Sequence, residues 1–225
     1  MKLKLEAAIR RRAALGTASP WYARKVTASV WIHAAALVLA FTSGAVTAVL
    51  LRRTTTAKPE ASPAALFVKV DSTTQGGWKG FYGSAGFALA NDDQHLPAYA
   101  KLRFPSRDKP VTWVDEIDEV RALQTVKPRS RIAAAWWSWG SFDIDIHLSD
   151  DKPHQISLYL LDWDSDTRVE NIEVLDTRSE KIIDARQASK FTEGKYVVWN
   201  ISGHVVIRLK HVAGANAVAS AVFFD

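Results

Sequence analysis

Polar and apolar residues alternate most cleanly in the second half of the chain. Phe142, Ile144, Ile146 and Leu148 are interleaved with Asp143, Asp145 and His147, a period of two that marks a half-buried strand. Further strand-like runs follow at Ile156–Leu160, Ile172–Leu175, Ile182–Ile183, Tyr196–Trp199, Val205–Leu209 and Ala217–Phe224. Asp, Asn, Gly and Ser punctuate them, so the pattern predicts an all-β sandwich. One stretch reads differently: Val114–Thr125 is short and acidic, and its spacing predicts the one helical patch of this region. Helices do not alternate with the strands, which argues against a doubly wound nucleotide-binding fold.

The N-terminal quarter follows another rule. Val26–Leu51 is a run of 26 residues without a formal charge. As a helix it would reach roughly 39 Å at 1.5 Å per residue, enough for a bilayer core of about 30 Å with some tilt. Arg24 and Lys25 close one end and Arg52 and Arg53 the other, with Trp21 and Tyr22 at the interfacial position. The run is too long for the ~7–15 residue core of a secretory signal, although Val46-Thr47-Ala48 resembles a weak cleavage site. The expected organisation is a basic amphipathic arm over 1–25, a transmembrane helix over 26–51, a linker over 52–63 and an exported sandwich over 64–225.

Charge sharpens that division. The chain carries 29 Lys and Arg against 24 Asp and Glu, a formal +5. Residues 1–63 hold ten basic and two acidic side chains, net +8, and residues 64–225 hold nineteen and twenty-two, net −3. An acidic body is a poor binder of phosphate backbones, so nucleic acid is not an expected partner. Seven basic residues precede the span and three follow it closely. The positive-inside bias then places the N-terminus in the cytoplasm of a bacterial inner membrane and the C-terminal domain in the periplasm or outside the cell.

Within the span, Ala36, Ala40, Gly44 and Ala48 recur every fourth residue and would lay a small-residue packing face on one side of the helix. His33 is the one ionisable residue there. It is a candidate axial ligand for a haem or chlorin of a neighbouring subunit, or a neutral imidazole bonded to a carbonyl near the cytoplasmic end. Together these features suggest an accessory subunit of a larger membrane protein complex, of respiratory or photosynthetic type.

The chain has no Cys, which excludes disulfides, thiol catalysis and Cys-ligated metal centres. It has no H-E-x-x-H, Walker A or G-x-G-x-x-G motif, and Gly83-Ser84-Ala85-Gly86 lacks the first Gly of a nucleophile elbow because position 82 is Tyr. No catalytic residue is assigned, and the expectation is a non-enzymatic protein. Asp162, Asp164 and Asp166 form a D-x-D-x-D loop with Glu173 at the twelfth position, a spacing that could converge on calcium. Thr167 replaces the sixth-position Gly of such loops, and an exposed acidic turn is the competing reading. His204, in an S-G-H turn before a strand, is expected to make a structural hydrogen bond.

Seven of the nine Trp lie in the acidic body. Trp78, Tyr82, Trp113, Trp137 and Trp139 are candidates for an exposed aromatic binding face, with Trp136 and Trp137 on opposite sides of one strand and Trp139 sharing the side of Trp137.

Several runs resemble one family. Asp71–Gly80 (DSTTQGGWKG), Tyr82–Gly86 (YGSAG), Arg131–Trp136 (RIAAAW), Leu158–Asp164 (LYLLDWD), Val197–Leu209 (VVWNISGHVVIRL) and Ala213–Phe224 (AGANAVASAVFF) look like a galactose-binding-like accessory module of secreted bacterial proteins. The resemblance covers about residues 67–225. It implies a jelly-roll sandwich of carbohydrate-binding type and makes a surface glycan the alternative partner. It supplies no ligand set, no cofactor and no membrane anchor.

Overall fold

The computed structural model describes residues 62–105 and 110–225. The arm, the expected span with Ala36, Ala40, Gly44 and Ala48, His33, and nearly all of the linker lie outside the described residues.

The described chain is built from strands. β1 (Ala64–Asp71) leads to the short β2 (Gly86–Leu89) and β3 (Gln94–His95), then β4 (Ala100–Arg103), β5 (Val111–Asp115) and β6 (Leu123–Gln124). The longer strands follow: β7 (Arg131–Ser138), β8 (Ser141–Leu148), β9 (His154–Leu160), β10 (Val169–Asp176), β11 (Ile182–Ser189), β12 (Lys195–Ser202) and β13 (His204–Ala213). β14 (Ala217–Ala219) and β15 (Ala221–Phe224) close it. Six strands form one sheet in the order β1-β12-β9-β15-β2-β3, and five form a second in the order β11-β10-β13-β8-β4. A smaller sheet runs β14-β7-β5, with β6 also pairing β7. Every pairing is antiparallel, as in a sandwich.

The two large sheets meet face to face. Ile144, Ile146 and Leu148 of β8, Ile172 and Val174 of β10, and Ile207 and Leu209 of β13 point inward from the five-stranded sheet. Ile156, Leu158, Val197, Trp199 and Ile201 answer them from the six-stranded sheet. The strict alternation of β8 follows directly: one face meets this core and the other meets water.

The six-stranded sheet has a second buried face. Tyr159, Tyr196, Val198, Ala221 and Phe223 pack there under Trp78 and Tyr82 from the β1–β2 connection and Leu123 from β6. Strands covered on both sides need apolar residues at both parities, which is why β9 and β12 read as continuous apolar runs.

Three sequence expectations change. Val114–Thr125 forms no helix. β5 claims Val114 and Asp115, β6 claims Leu123 and Gln124, and Glu116 between them is left-handed at φ 58°. Ile117 and Val120 still have helical spacing, but Ile117 packs against the second core while Val120 is exposed and its carbonyl accepts from the Gly76 amide. Ala217–Phe224 is not one strand. It breaks at Ser220, so that β14 pairs β7 and β15 pairs β2 and β9. Seven strands precede β8, where the alternation first becomes regular.

The segment joining β1 to β2 is fixed by its own polar groups. The Asp71 carboxylate accepts hydrogen bonds from the backbone N–H of Thr73 and Thr74, from both their hydroxyls, and from the Tyr82 hydroxyl at 2.7 Å. Burial alone would raise this carboxyl, but these bonds outweigh it and hold it well below the carboxylate range. Gly76 then lies flat against the 120–123 segment: its N–H donates to Val120 O, and its carbonyl accepts from Gln124 N–H. A Cβ on Gly76 would sit 1.9 Å from Ala122 O and 2.4 Å from the Ala122 carbonyl carbon, both backbone atoms that cannot swing aside. Gly76→Ala is therefore expected to cost about 1–3 kcal/mol, the usual range for overpacking. A urea midpoint equal to that of the parent would contradict this close approach.

Candidate functional site

β7 ends in an aromatic sequence that its pairing spreads over two faces. Trp136 stacks on Phe104, with ring centroids 4.2 Å apart. Trp137, on the other side of the strand, lies half-buried against the main core. Both rings are therefore partly covered, one on each side of the strand. The turn to β8 begins at Trp139, and the space around Gly140 is open: a Cβ there would meet nothing within 4 Å. Trp139 is 70% exposed and stands edge-on to Trp137, with centroids 5.4 Å apart and planes at 87°. The expected Trp137–Trp139 pair is thus formed, with Trp137 as the anchor and Trp139 as the free face.

The same hairpin contributes Ser138 and Ser141 to a surface groove shared with Pro105, Phe142, Asp143, Arg208 and Lys210. β8 and β13 pair so that Asp143 faces Arg208 directly and Ser141 faces Lys210. The Arg208 guanidinium grips Asp143 through two parallel bonds of 2.7 and 2.8 Å, and this pairing raises the guanidinium's already high proton affinity. Lys210 reaches Glu173 at 3.1 Å. These side chains occupy the outward parity of strands whose inward parity is core, so their register is fixed by burial. Sequence reading missed them because Asp143 and Arg208 are 65 residues apart. The signal was present only as the polar half of each alternation.

The other aromatic candidates are placed elsewhere. Trp78 and Tyr82 are core residues, 5% and 4% exposed. The Trp78 ring packs on Phe87 and Phe223, and its indole N–H donates to Gln124 O at 2.7 Å. Tyr82 stacks on Tyr196 at 4.1 Å. Both belong to the lid over the second core and present no platform. Trp113 is half-buried, with its indole N–H donating to Asp164 at 3.1 Å and the Arg168 guanidinium over its ring.

Asp162 and Asp164, which the spacing could turn toward calcium, hold a different cation. Arg168 is 3% exposed and its Nη1 contacts both carboxylates. Asp162 is itself 1% exposed and also accepts from Arg168 N–H at 3.1 Å and Ser165 Oγ at 3.0 Å. Asp166 is exposed beside them, and Glu173 lies on β10, with Lys210 as its partner. Among the described residues no group of three or more His, Asp or Glu is arranged to hold a metal ion. A guanidinium carries the charge that the loop geometry suggested for a metal.

His204 behaves as its turn implied, with Nε2 3.0 Å from Asp145 Oδ1 and its ring stacked on His147 at 4.7 Å. His154 pairs with Asp150 at 2.9 Å and stacks on Tyr99.

No family model matches the chain, and no curated protein matches it. Among solved structures, the chain is similar to a carbohydrate-binding module of family 61 determined in complex with β-1,4-galactotriose. The two share 14% identity over 57% of this chain and 85% of that one, with a TM-score of 0.29.

Proposed function

We propose that the protein is a non-catalytic binding module of galactose-binding-like jelly-roll type, and that the β7–β8 hairpin and its groove take a carbohydrate. One observation carries this reading: Trp139 is 70% exposed, held edge-on by Trp137, at the mouth of a turn whose serines line a groove with Asp143, Arg208 and Lys210. A flat apolar ring suits the C–H face of a pyranose, and fixed charged and hydroxyl groups beside it suit sugar hydroxyls.

Trp139→Ala is expected to abolish binding of neutral oligosaccharides while moving the melting temperature by less than about 2 °C, because an exposed side chain contributes little to the core. A glycan array followed by calorimetry on the full chain in detergent checks both. Binding that survives the substitution, or the absence of any glycan ligand for the parent, would sink the reading.

A second proposal concerns the N-terminal part, where the uncharged run Val26–Leu51 between basic flanks supports a single inner-membrane span and an accessory role in a larger membrane complex. Its test is gentle detergent purification, with co-migration expected and a monodisperse free protein counting against it.

A further inference from the structure

On the far side of the sandwich, the connection from β6 to β7 is a tight loop that closes on itself. Thr125 N–H donates to Ser130 O at 2.9 Å, and the Thr125 hydroxyl reaches Lys127 O and Ser130 O, both at 3.2 Å. Arg129 is held left-handed at φ 60°, a conformation that costs a non-glycine residue about 1 kcal/mol or more. The loop places Lys127 and Arg129 in the wall of a cavity of about 520 Å³, together with Lys79, Arg131, Gln124, Ser130 and Asp118.

The charge of this cavity runs against its surroundings. Four cations and one carboxylate line it, a local excess of +3, in a domain whose acidic residues outnumber its basic ones. Two of the cations have structural work: Lys79 donates to Thr125 O at 2.7 Å, and Arg131 donates to Ala122 O at 2.7 Å and Val120 O at 3.2 Å. The side chains of Lys127 and Arg129 form no hydrogen bond or ion pair among the described residues, and both residues are exposed. Like charges gathered in excess of their counter-charge repel, and an anion relieves that repulsion.

The wall is also rigid. Buried Trp78 bonds Gln124 O at 2.7 Å, Lys79 N–H bonds the Gln124 side chain at 3.2 Å, and Gly76 is wedged against Ala122 behind them. Donors set on such a frame are pre-organised for a ligand.

We propose that this cavity is an anion subsite that takes the carboxylate or sulfate group of an acidic saccharide. Guanidinium and ammonium donors match such oxyanions, Gln124 and Ser130 offer partners for hydroxyls, and the volume lies within the ~300–1,000 Å³ of small-ligand pockets. The saccharide part of this assignment rests on the carbohydrate reading above; the anion part rests on the cavity alone.

Calorimetry on the full chain would compare a galacturonate oligosaccharide, a sulfated oligosaccharide, a neutral galacto-oligosaccharide of equal length, and sodium sulfate. The acidic sugars are expected to bind at least tenfold more tightly than the neutral one, with the advantage collapsing in 0.5 M NaCl, as for any screened charge contact. The Lys127→Ala/Arg129→Ala double variant should erase the advantage and leave neutral-sugar binding and the melting temperature unchanged. Equal affinity for acidic and neutral sugars, or a double variant that keeps the preference, overturns the subsite while the Trp139 site stands. Acidic sugars that bind through Lys127 and Arg129 while Trp139→Ala changes nothing support the subsite and remove the Trp139 site. Binding of sulfate ion with no saccharide overturns the sugar assignment.

Discussion

Asp162→Ala is expected to lower the melting temperature by about 10 °C or more. Asp162 and Arg168 form an ion pair in which both side chains are 2% exposed. Arg168 Nη1 also reaches Asp164 at 2.6 Å, its Nε donates to Asn216 at 2.9 Å, and its guanidinium lies over Trp113. The network therefore ties the β9–β10 connection to the β13–β14 connection and to β5. Removing one partner of a buried pair leaves an uncompensated charge and costs roughly 3–5 kcal/mol. For a domain of this size each kcal/mol moves the melting temperature by about 2–4 °C. Asp164 is half exposed and cannot replace Asp162, which also caps Arg168 N–H and the Ser165 hydroxyl. Adding Arg168→Met to Asp162→Ala should recover part of the loss, because the desolvated charge then disappears with its partner. A single variant within 2 °C of the parent would show that the pair is dispensable.

Glu170→Gln should have the opposite sign, and its effect should depend on pH. Glu170 is fully buried on β10; its Oε2 accepts from Val218 N–H at 2.8 Å and its Oε1 has no partner. Burial pushes its carboxyl up to about 8, against the weaker opposing pull of the Val218 bond and of Arg168, with Asp162 adding to the rise. In the unfolded chain the same group ionises near 4.5. Below that value both states are protonated and the group's contribution to stability is fully present. Between about 4.5 and 8 only the unfolded state sheds its proton, so stability falls as pH rises, and above about 8 the loss is complete. At about 1.4 kcal/mol per pKa unit the whole loss is on the order of a few kcal/mol. Glutamine has the same shape, keeps an acceptor for Val218 and has no proton to lose. The variant should match the parent near pH 4 and exceed it increasingly toward pH 8. Parallel melting profiles across that range would refute the buried-proton account.

The inward position of Glu170 could be read from period alone. It shares parity with Ile172 and Val174, so a strand that buries those two must bury it as well. The same logic made β8, β9, β10, β12 and β13 legible: each has a run of alternate apolar residues facing a core. β2, β3 and β6 have two to four residues, too few for a period to show. Val114–Thr125 misled because Ile117 meets helical spacing with Val114 and Val120 while being buried by a lid rather than by a helix face. The Trp137–Trp139 pair was visible as two aromatics before a glycine turn. Its groove was not, since strand register alone brings Asp143 to Arg208. In the loop after β9, the carboxylates drew attention while their cation stood six residues beyond Asp162, where Arg168 carries no motif.

The six-stranded sheet, covered on both faces, has a consequence for how recognition in this molecule could evolve. The groove with Asp143 and Arg208 lies on the outer face of the five-stranded sheet, and the cavity with Lys127 and Arg129 lies over the opposite layer. No residue lines both, and strands buried on both faces lie between them. Substitutions in two such surfaces share no packing partner, so their free-energy effects add rather than interact. Either surface can drift toward a new partner one residue at a time, without epistatic debt to the other.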